Sequence, residues 1–373
     1  MEQWDDQSVD LIYLDPPFNS KANYNQLFHT DGAGDAQFRA FTDMWYWDHA
    51  AVQRYAKYEN ASGRLAHDAI VGLKKILGAC GMMSYLTYMA ERLEHCYRLL
   101  KPTGSIYLHC DPTASHYLKI LMDVSFGSFL FNNEIIWHYA KGHGPTKAYR
   151  RKHDVILFYA NPKKNKFNAQ KYAHLDSQLY RFNRIDEDGK KYRINHTRDK
   201  NGEYKRFYLD DGVKVDSVWS YLRESKFDQL PHNAEENLGY GTQKPECLLE
   251  RIILCATNEG DIVLDPFCGC GTTVAVAEKL NRQFVGIDIS SFAIDLIVNR
   301  RLLNKSVSIE GIPFSFEAAE KLAKDNPFNF ESWAVTRLPG FAPNTKQVAD
   351  GGVDGQAGED NRNVARMGLL LAG

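Results

Sequence analysis

An acid, two prolines and an aromatic ring stand together at Asp15-Pro16-Pro17-Phe18, directly after the apolar run Val9 to Leu14. Two prolines cannot extend a strand, so the strand that this run predicts ends where the acid begins. The rigid turn places one carboxylate and one backbone carbonyl side by side. Those two acceptors match the two hydrogens of an exocyclic amino group on a base, and Phe18 suits stacking on the ring. The alternative is an ordinary strand-ending turn, because Asp-Pro and Pro-Pro pairs are common in turns.

A glycine-rich turn, Asp265-Pro266-Phe267-Cys268-Gly269-Cys270-Gly271-Thr272, joins an apolar strand to a helix. Glycines let a ligand approach the backbone closely, and a helix N-terminus presents unpaired N–H groups. Asp288 ends the next apolar run, 19 residues after Gly269, where a carboxylate can accept hydrogen bonds from both hydroxyls of a ribose. The pattern indicates a nucleoside-binding crevice. A dinucleotide fits less well, because Val274 replaces a third glycine and Asp265 repels a pyrophosphate, whereas an acid suits a ligand with an ammonium group.

The overall composition is that of a folded globular chain. Of 373 residues, 44% are hydrophobic and 25% are charged, which argues against disorder and fibrous repeats. The seven cysteines are scattered without paired CxxC units, so no metal site is predicted. The first residues are acidic and no apolar run approaches ~18 residues, so we expect neither a signal peptide nor a membrane span, and a cytoplasmic location.

The charge is unevenly distributed along the chain. The whole sequence has a formal net charge of −2, yet residues 161–210 contain 13 Lys and Arg against seven Asp and Glu. These basic residues alternate with aromatic ones, which favours contact with nucleic acid, although a charge run is more often a solvated face. The candidates for contacts with DNA are Lys163, Lys164, Lys166, Lys190, Lys191, Arg193, Lys205 and Arg206.

Four stretches are expected, with boundaries at 1–160, 161–240, 241–305 and 306–373. The first alternates β-rich runs with helical patterns, which predicts a parallel sheet with crossover helices. The second predicts a small β-rich domain, and the third a βαβ unit. Beyond Val9 to Leu14, strands of the first stretch are predicted at Ser105 to His109, Glu134 to Tyr139 and Asp154 to Tyr159.

Three motifs together resemble a known family. Asp15-Pro16-Pro17-Phe18, the turn from Asp265, and Thr242-Gln243-Lys244-Pro245 just before it look like the motifs of amino-methylating DNA methyltransferases of restriction–modification systems. The order is catalytic motif, recognition region and then cofactor motif, which is similar to the β group of that family. The resemblance covers roughly Val9 to Asn304, apart from the recognition region.

The resemblance implies a fold and a set of roles. The fold is α/β, a Rossmann-like sheet of an S-adenosylmethionine-dependent methyltransferase with an inserted small target-recognition domain. An N-terminal edge strand found in relatives is expected to be missing. Asp15, Pro16, Pro17 and Phe18 would be catalytic, with Phe18 clamping a flipped base. The implied cofactor-binding residues are Asp265, Pro266, Phe267, Gly269, Gly271, Thr272, Asp288, Lys244 and Pro245.

The implied reaction is direct transfer of a methyl group from S-adenosyl-L-methionine to an exocyclic amino group in double-stranded DNA. An Asp at position 15 resembles adenine-N6 enzymes more than cytosine-N4 enzymes, so adenine is expected. The alternatives are a cytosine-N4 or RNA methyltransferase and a catalytically impaired DNA-binding remnant. A cognate restriction endonuclease and a homodimer are possible assemblies on this reading, and no membrane is expected.

Two further segments have recognisable sequence features. Residues 306–373 resemble the opening of a restriction-endonuclease-like domain, with Asp354 as its first metal-binding acid, and a truncated, inactive remnant is expected there. His109-Cys110-Asp111 ends a predicted strand and is interpreted as structural or adjacent to the substrate.

Overall fold

The computed structural model describes most of the chain. It gives residues 1, 4–17, 45–140, 147–198, 200, 202–231, 234–303, 305–313, 315–325 and 327–335, without the side chains of 196, 291, 292, 328, 329, 331 and 332, and the backbone alone of 23–30, 33–42, 341–343, 355–357 and 364–365. The strands in chain order are β1 (Val9–Leu14), β2 (Asn23–Thr30), β3 (Ala33–Thr42), β4 (Leu100–Cys110), β5 (Phe131–His138), β6 (His153–Ala160), β7 (Lys171–Tyr172), β8 (Arg184–Ile185), β9 (Lys191–Arg198), β10 (Tyr204–Tyr208), β11 (Val213–Lys214), β12 (Val218–Ser220), β13 (Ile262–Asp265), β14 (Gln283–Gly286), β15 (Phe341–Pro343), β16 (Gly355–Ala357) and β17 (Val364–Ala365). The helices are α1 (His49–Glu59), α2 (His67–Leu77), α3 (Gly81–Leu99), α4 (Ser115–Phe126), α5 (Glu246–Ala256), α6 (Thr272–Lys279), α7 (Ser291–Leu296), α8 (Phe316–Asp325) and α9 (Pro327–Val335), and a π-helical turn spans Ile297–Arg301.

Strand β1 lies inside a seven-stranded sheet with the order β12-β5-β6-β4-β1-β13-β14. All six of its residues are buried, Asp10 among them, as expected of a strand covered on both faces. It runs parallel to β4 on one side and to β13 on the other, with Ile12 opposite both Ile106 and Leu264. The predicted α/β sheet is therefore confirmed, and β1 has the predicted bounds.

The sheet is mixed rather than parallel, which corrects the expectation from the alternating pattern. Strand β6 runs antiparallel to β4 and to β5. The reason is that β5 and β6 follow each other without an intervening helix among the described residues, so the chain returns beside the strand it has left. Strand β12, which comes from the predicted recognition region, pairs in parallel with β5.

Side chains alternate between the two faces of the sheet and form two main cores. Ile12 and Leu14 pack with residues of α1 to α4, and Leu11 and Tyr13 pack with residues of α5 and α6. Burying such side chains contributes roughly 1.5–3 kcal/mol each. The three layers hold the carboxyl ends of β1 and β13 in fixed positions.

The predicted recognition region contacts helix α5 through Arg251. Strands β8, β9 and β10 form a small antiparallel sheet, and β7 pairs with β11. The buried Arg251 of α5 donates to the Tyr172 hydroxyl at 3.1 Å and pairs with Glu224, while its guanidinium lies 3.9 Å from the centre of the Phe227 ring.

The four domain boundaries remain predictions. The nuclease-like remnant after residue 305 also remains a prediction, and Asp354 lies outside the described residues. No helix in the described part of the chain has the length and apolarity to cross a membrane.

Gly271 ends the cofactor-type turn in the left-handed region, at φ +76°. A Cβ there would lie 2.4 Å from Ile297 Cγ1, so both the backbone and the space require glycine. Gly260 has a similar φ of +81° with nothing within 4 Å of the corresponding position.

Gly271→Ala is expected to destabilise the protein more than Gly260→Ala. The left-handed conformation costs roughly 1–2 kcal/mol in both variants, and the contact with Ile297 adds roughly 1–3 kcal/mol in the first alone. Urea unfolding of the two variants and the parent measures the difference. Equal losses would show that Ile297 moves aside at no cost.

Candidate active site

A cavity of about 1250 Å³ opens at the carboxyl ends of β1 and β13. It brings together the two motifs that are 250 residues apart in the chain. Most of the predicted catalytic and cofactor-binding residues line it, namely Asp15, Pro16, Pro17, Lys244, Asp265, Pro266, Phe267, Gly269, Thr272 and Asp288. Gly271 and Pro245 are not among the lining residues. They are the N-cap residues of helices α6 and α5. Phe18 lies outside the described residues.

The Asp15 carboxylate lines this cavity, and its two oxygens differ in their hydrogen bonding. Oδ2 accepts a hydrogen bond from Lys244 Nζ at 2.5 Å, so Lys244 contacts the acid of the first motif. Oδ1 is buried and has no hydrogen-bond partner among the described residues. A buried acceptor without a donor costs free energy, so this position suits a ligand that supplies a hydrogen.

A buried network of side chains lies beneath Asp15, and nothing in the sequence pointed to it beyond the strand-end position of His109. His109 is fully buried, its Nδ1 lies 2.9 Å from the Tyr13 hydroxyl, and its Nε2 lies 3.1 Å from Asp154 Oδ2. Tyr139 donates its hydroxyl to Asp154 Oδ1 at 3.1 Å. Asp154 stands at the start of β6, and the antiparallel direction of that strand brings it to the cavity.

Asp265 is a carboxyl group with 3% of its surface exposed. Burial, reinforced by the nearby Asp15 and Asp288, raises the pKa of Asp265 to about 7, although hydrogen bonds from Thr273 and Phe267 act against it. Thr273 Oγ1 donates to Oδ2 at 2.5 Å, and the Phe267 N–H donates to Oδ1 at 3.0 Å. A cationic ligand would favour the ionised form.

Asp288 lies across the glycine turn from Asp265. It accepts the Gly269 N–H at 2.9 Å and the Ser290 N–H at 2.8 Å, and burial raises its pKa above the usual value. A Cβ on Gly269 would lie 3.4 Å from the Tyr240 ring, so this tyrosine closes the wall that the loop before α5 provides. Carboxylate oxygens have about four lone-pair sites, which leaves acceptor capacity for ligand hydroxyls.

Aromatic rings form the opposite wall. The ring centres of Phe267 and Tyr88 are 6.3 Å apart, and the Arg92 guanidinium lies 3.3 Å from the centre of the Tyr88 ring. Trp45 packs on Tyr88 at 4.8 Å. No sequence pattern singles out Tyr88 or Arg92, because an amphipathic helix gives no signal of which residues reach a cavity.

The predicted DNA contacts differ in their surroundings. Lys163, Lys164, Lys190, Lys191, Lys205 and Arg206 are exposed, and Arg193 is partly buried with its guanidinium 5.1 Å from the centre of the Phe207 ring. Lys166 is different, because its ammonium pairs with Asp261 at 2.6 Å and with Asp10 at 3.1 Å. Asp10 is near the start of β1, about 16 Å along the strand from Asp15. Two carboxylates thus hold Lys166 at the far edge of the sheet, and a phosphate contact for it stays a prediction.

Asp265→Asn is expected to remove one component of the pH dependence of stability. The folded protein holds a proton on Asp265 up to a pH of about 7, whereas the unfolded chain loses it near 3.8, so this group lowers the free energy of unfolding as pH rises between those values. The effect is on the order of 1.4 kcal/mol per pKa unit.

Urea unfolding at pH 5 and pH 8 measures this effect. The variant should gain stability relative to the parent at the higher pH. An identical pH dependence in both proteins would contradict the raised pKa.

The sequence matches the family model described as DNA methylase over residues 9–299. It is 35% identical over 219 residues to the type II methyltransferase M.HpaI of Haemophilus parainfluenzae, which is 58% of this chain and 59% of that protein. It is 27% identical over 300 residues to the DNA adenine methyltransferase YhdJ of Escherichia coli, 79% of this chain and 76% of that protein. The chain spans 55 to 59% of the length of three type II methyltransferases, M.HpaI among them.

Among solved structures, the protein TTHA0409 of Thermus thermophilus in complex with S-adenosyl-L-methionine aligns with a TM-score of 0.41 and 17% identity, over 81% of this chain and 89% of that one. The family model, by contrast, covers well over half of the chain, from the first strand of the sheet to the π-helical turn. The chain therefore belongs to the DNA methylase family.

Proposed function

We propose that the chain transfers a methyl group from S-adenosyl-L-methionine to the exocyclic amino group of a base in double-stranded DNA. The proposed target is N6 of adenine. The observation that supports this best is the meeting of Asp15 with Asp265 and Asp288 in one cavity. Family membership supports the same reaction class. A volume of about 1250 Å³ exceeds the roughly 300–1,000 Å³ of a typical single-ligand site, which suits a cofactor together with a base.

The charges of the cavity fit a cationic cofactor. Asp265 and Asp288 are both largely withdrawn from water, and burial raises the pKa of each. A ligand with an ammonium and a sulfonium group stabilises carboxylates in such a place. We infer that Asp265 accepts the cofactor's amino group, that Asp288 accepts its ribose hydroxyls and that Phe267 packs beside its methionine arm. When bound, S-adenosyl-L-methionine supplies the electrophilic methyl group.

Asp15 and Pro16 prepare the nucleophile. The Asp15 Oδ1 atom and the Pro16 carbonyl accept the two hydrogens of the target amino group, which orients its lone pair toward the methyl group. Holding the two reacting atoms in line contributes up to roughly 7–11 kcal/mol in favourable cases. The new N–C bond would form as the sulfonium C–S bond breaks, with S-adenosyl-L-homocysteine as the leaving product, and the target nitrogen would lose one proton on the side of Asp15. No covalent intermediate with the protein is needed.

The base must leave the duplex to reach Asp15, and Phe18 is proposed to stack on it. The exposed basic residues Lys163, Lys164, Lys190, Lys191, Lys205 and Arg206, together with Arg193, are proposed to hold the DNA. Adenine is favoured over cytosine by the Asp of the first motif and by the relative named as an adenine methyltransferase.

Asp15→Asn should abolish methylation while cofactor binding is kept. The amide removes one acceptor for the target amino group, so incorporation of tritiated methyl groups into unmethylated bacterial DNA is expected to fall by roughly 10²–10⁴-fold. Calorimetric affinity for S-adenosyl-L-methionine should stay within about threefold, because the inferred cofactor contacts of Asp265 and Asp288 are unchanged. Asp68→Asn, at a fully exposed carboxylate on α2, is the matched control.

Several outcomes would contradict these assignments. Full turnover in Asp15→Asn would overturn the role of Asp15. Duplex binding without cofactor binding in the parent protein would favour the DNA-binding remnant. Nucleoside analysis of the product separates adenine N6 from cytosine N4, and parallel assays on RNA test the remaining alternative.

A further inference from the structure

His109 lies 3.9 Å from Asp15 and belongs to none of the three sequence motifs. It is fully buried, and its Nδ1 lies 3.9 Å from Asp15 Oδ1, too far for a hydrogen bond. Its ring also contacts the edge of Trp137, with the ring centres 5.5 Å apart. In the described part of the chain, the titratable and charged groups around it include Tyr13, Asp15, Tyr139, Asp154 and, beyond Asp15, Lys244.

The hydrogen bonds of this network decide where the proton of the His109 ring lies. Burial, with the nearby Asp15, Asp265 and Asp154, raises the pKa of Tyr13 well above its usual value, so its hydroxyl keeps its hydrogen. The acceptor that the described residues offer to this hydroxyl is His109 Nδ1, at 2.9 Å. A buried hydroxyl left without an acceptor costs roughly 1–3 kcal/mol. Nδ1 therefore accepts, and the ring hydrogen is on Nε2.

Asp154 fits this assignment from the other side. Burial acts to raise the pKa of Asp154, but the hydrogen bond and charge interaction with His109, the charge of Lys244 and the hydrogen bond from Tyr139 lower it overall, so the carboxylate is ionised. An ionised carboxylate accepts the Nε2 hydrogen at 3.1 Å. Asp154 thus calls for a hydrogen on Nε2, and the Tyr13 hydroxyl, by donating to Nδ1, leaves no place for a second ring hydrogen there.

This tautomer has a direct consequence for Asp15. With its Nδ1 lone pair directed at Tyr13, the imidazole has no hydrogen to offer to Asp15 Oδ1. Lys244 occupies the other oxygen, Oδ2. An imidazolium or an Nδ1–H tautomer would instead place a hydrogen or a positive charge beside Oδ1 and weaken it as an acceptor.

We propose that His109 is a positioning residue for methyl transfer: held by Asp154 and Tyr13 with its hydrogen on Nε2, it keeps Asp15 Oδ1 free to accept a hydrogen of the target amino group. This inference rests on the proposed function of Asp15. It assigns to His109 and Asp154 an effect on kcat rather than on the binding of cofactor or DNA.

The tautomer is measured first, on the full chain without ligand. Nitrogen-15 NMR of labelled histidine distinguishes the two neutral tautomers and the imidazolium, and the His109→Asn spectrum assigns the signals. We expect the neutral ring with hydrogen on Nε2 at pH 7.5. An Nδ1–H ring or an imidazolium would overturn the proposal.

Asp154→Ala then tests the effect on catalysis. The ring is expected to shift toward the Nδ1–H form, and kcat for unmethylated bacterial DNA to fall by roughly 10²–10⁴-fold. Affinities for S-adenosyl-L-methionine and for duplex DNA should stay within about threefold. His116→Ala, at an exposed histidine on α4, should leave all of these values unchanged.

The outcomes separate this inference from the proposed function. An inactive parent protein would contradict the proposed function, whereas an active parent with an unchanged kcat in Asp154→Ala would contradict the role of His109 alone. A fall in kcat with an unchanged tautomer would indicate a merely structural contribution and would also overturn the proposal. If Asp154→Ala fails to fold, the tautomer of the parent decides.

Discussion

The parallel pairing of β1 with β13 is the constraint on which the site depends. With Ile12 opposite Leu264, the two strands end within one residue of each other, and Asp15, which follows β1, and Asp265, the last residue of β13, line one cavity. Strand β4 pairs with the other side of β1 and brings His109 to the same edge. Six buried residues in β1 stabilise this pairing, because a shift of one residue would move every side chain to the opposite face.

The sequence was sufficient for the elements that have a strong local signal. The run Val9–Leu14 predicted β1 with its observed bounds, because two prolines fix its end. The glycine turn and Asp288 were predicted to share a crevice, and they lie across one turn, where Asp288 accepts the Gly269 N–H. Both predictions depend on patterns of neighbouring residues, which few other local structures would satisfy.

The contacts that sequence reasoning missed depend on chain direction and on tertiary pairing. A parallel β6 would have placed Asp154 at the far edge of the sheet, so its partnership with His109 followed only from the observed antiparallel direction. Lys244 was expected to border the cofactor, yet its ammonium reaches Asp15. Lys166 belongs to a basic run but pairs with acids from two other segments, which no local pattern reveals.

The attachment of residues 161–240, the predicted recognition region, to α5 limits how this region can be replaced. Arg251 has 7% of its surface exposed, and its partners Tyr172 and Glu224 come from either end of the insert. A transplanted segment without Tyr172 and Glu224 would leave the buried Arg251 guanidinium without these partners, which destabilises the protein by roughly 3–5 kcal/mol. A workable graft therefore takes along the anchoring residues on both flanks, or replaces the arginine as well.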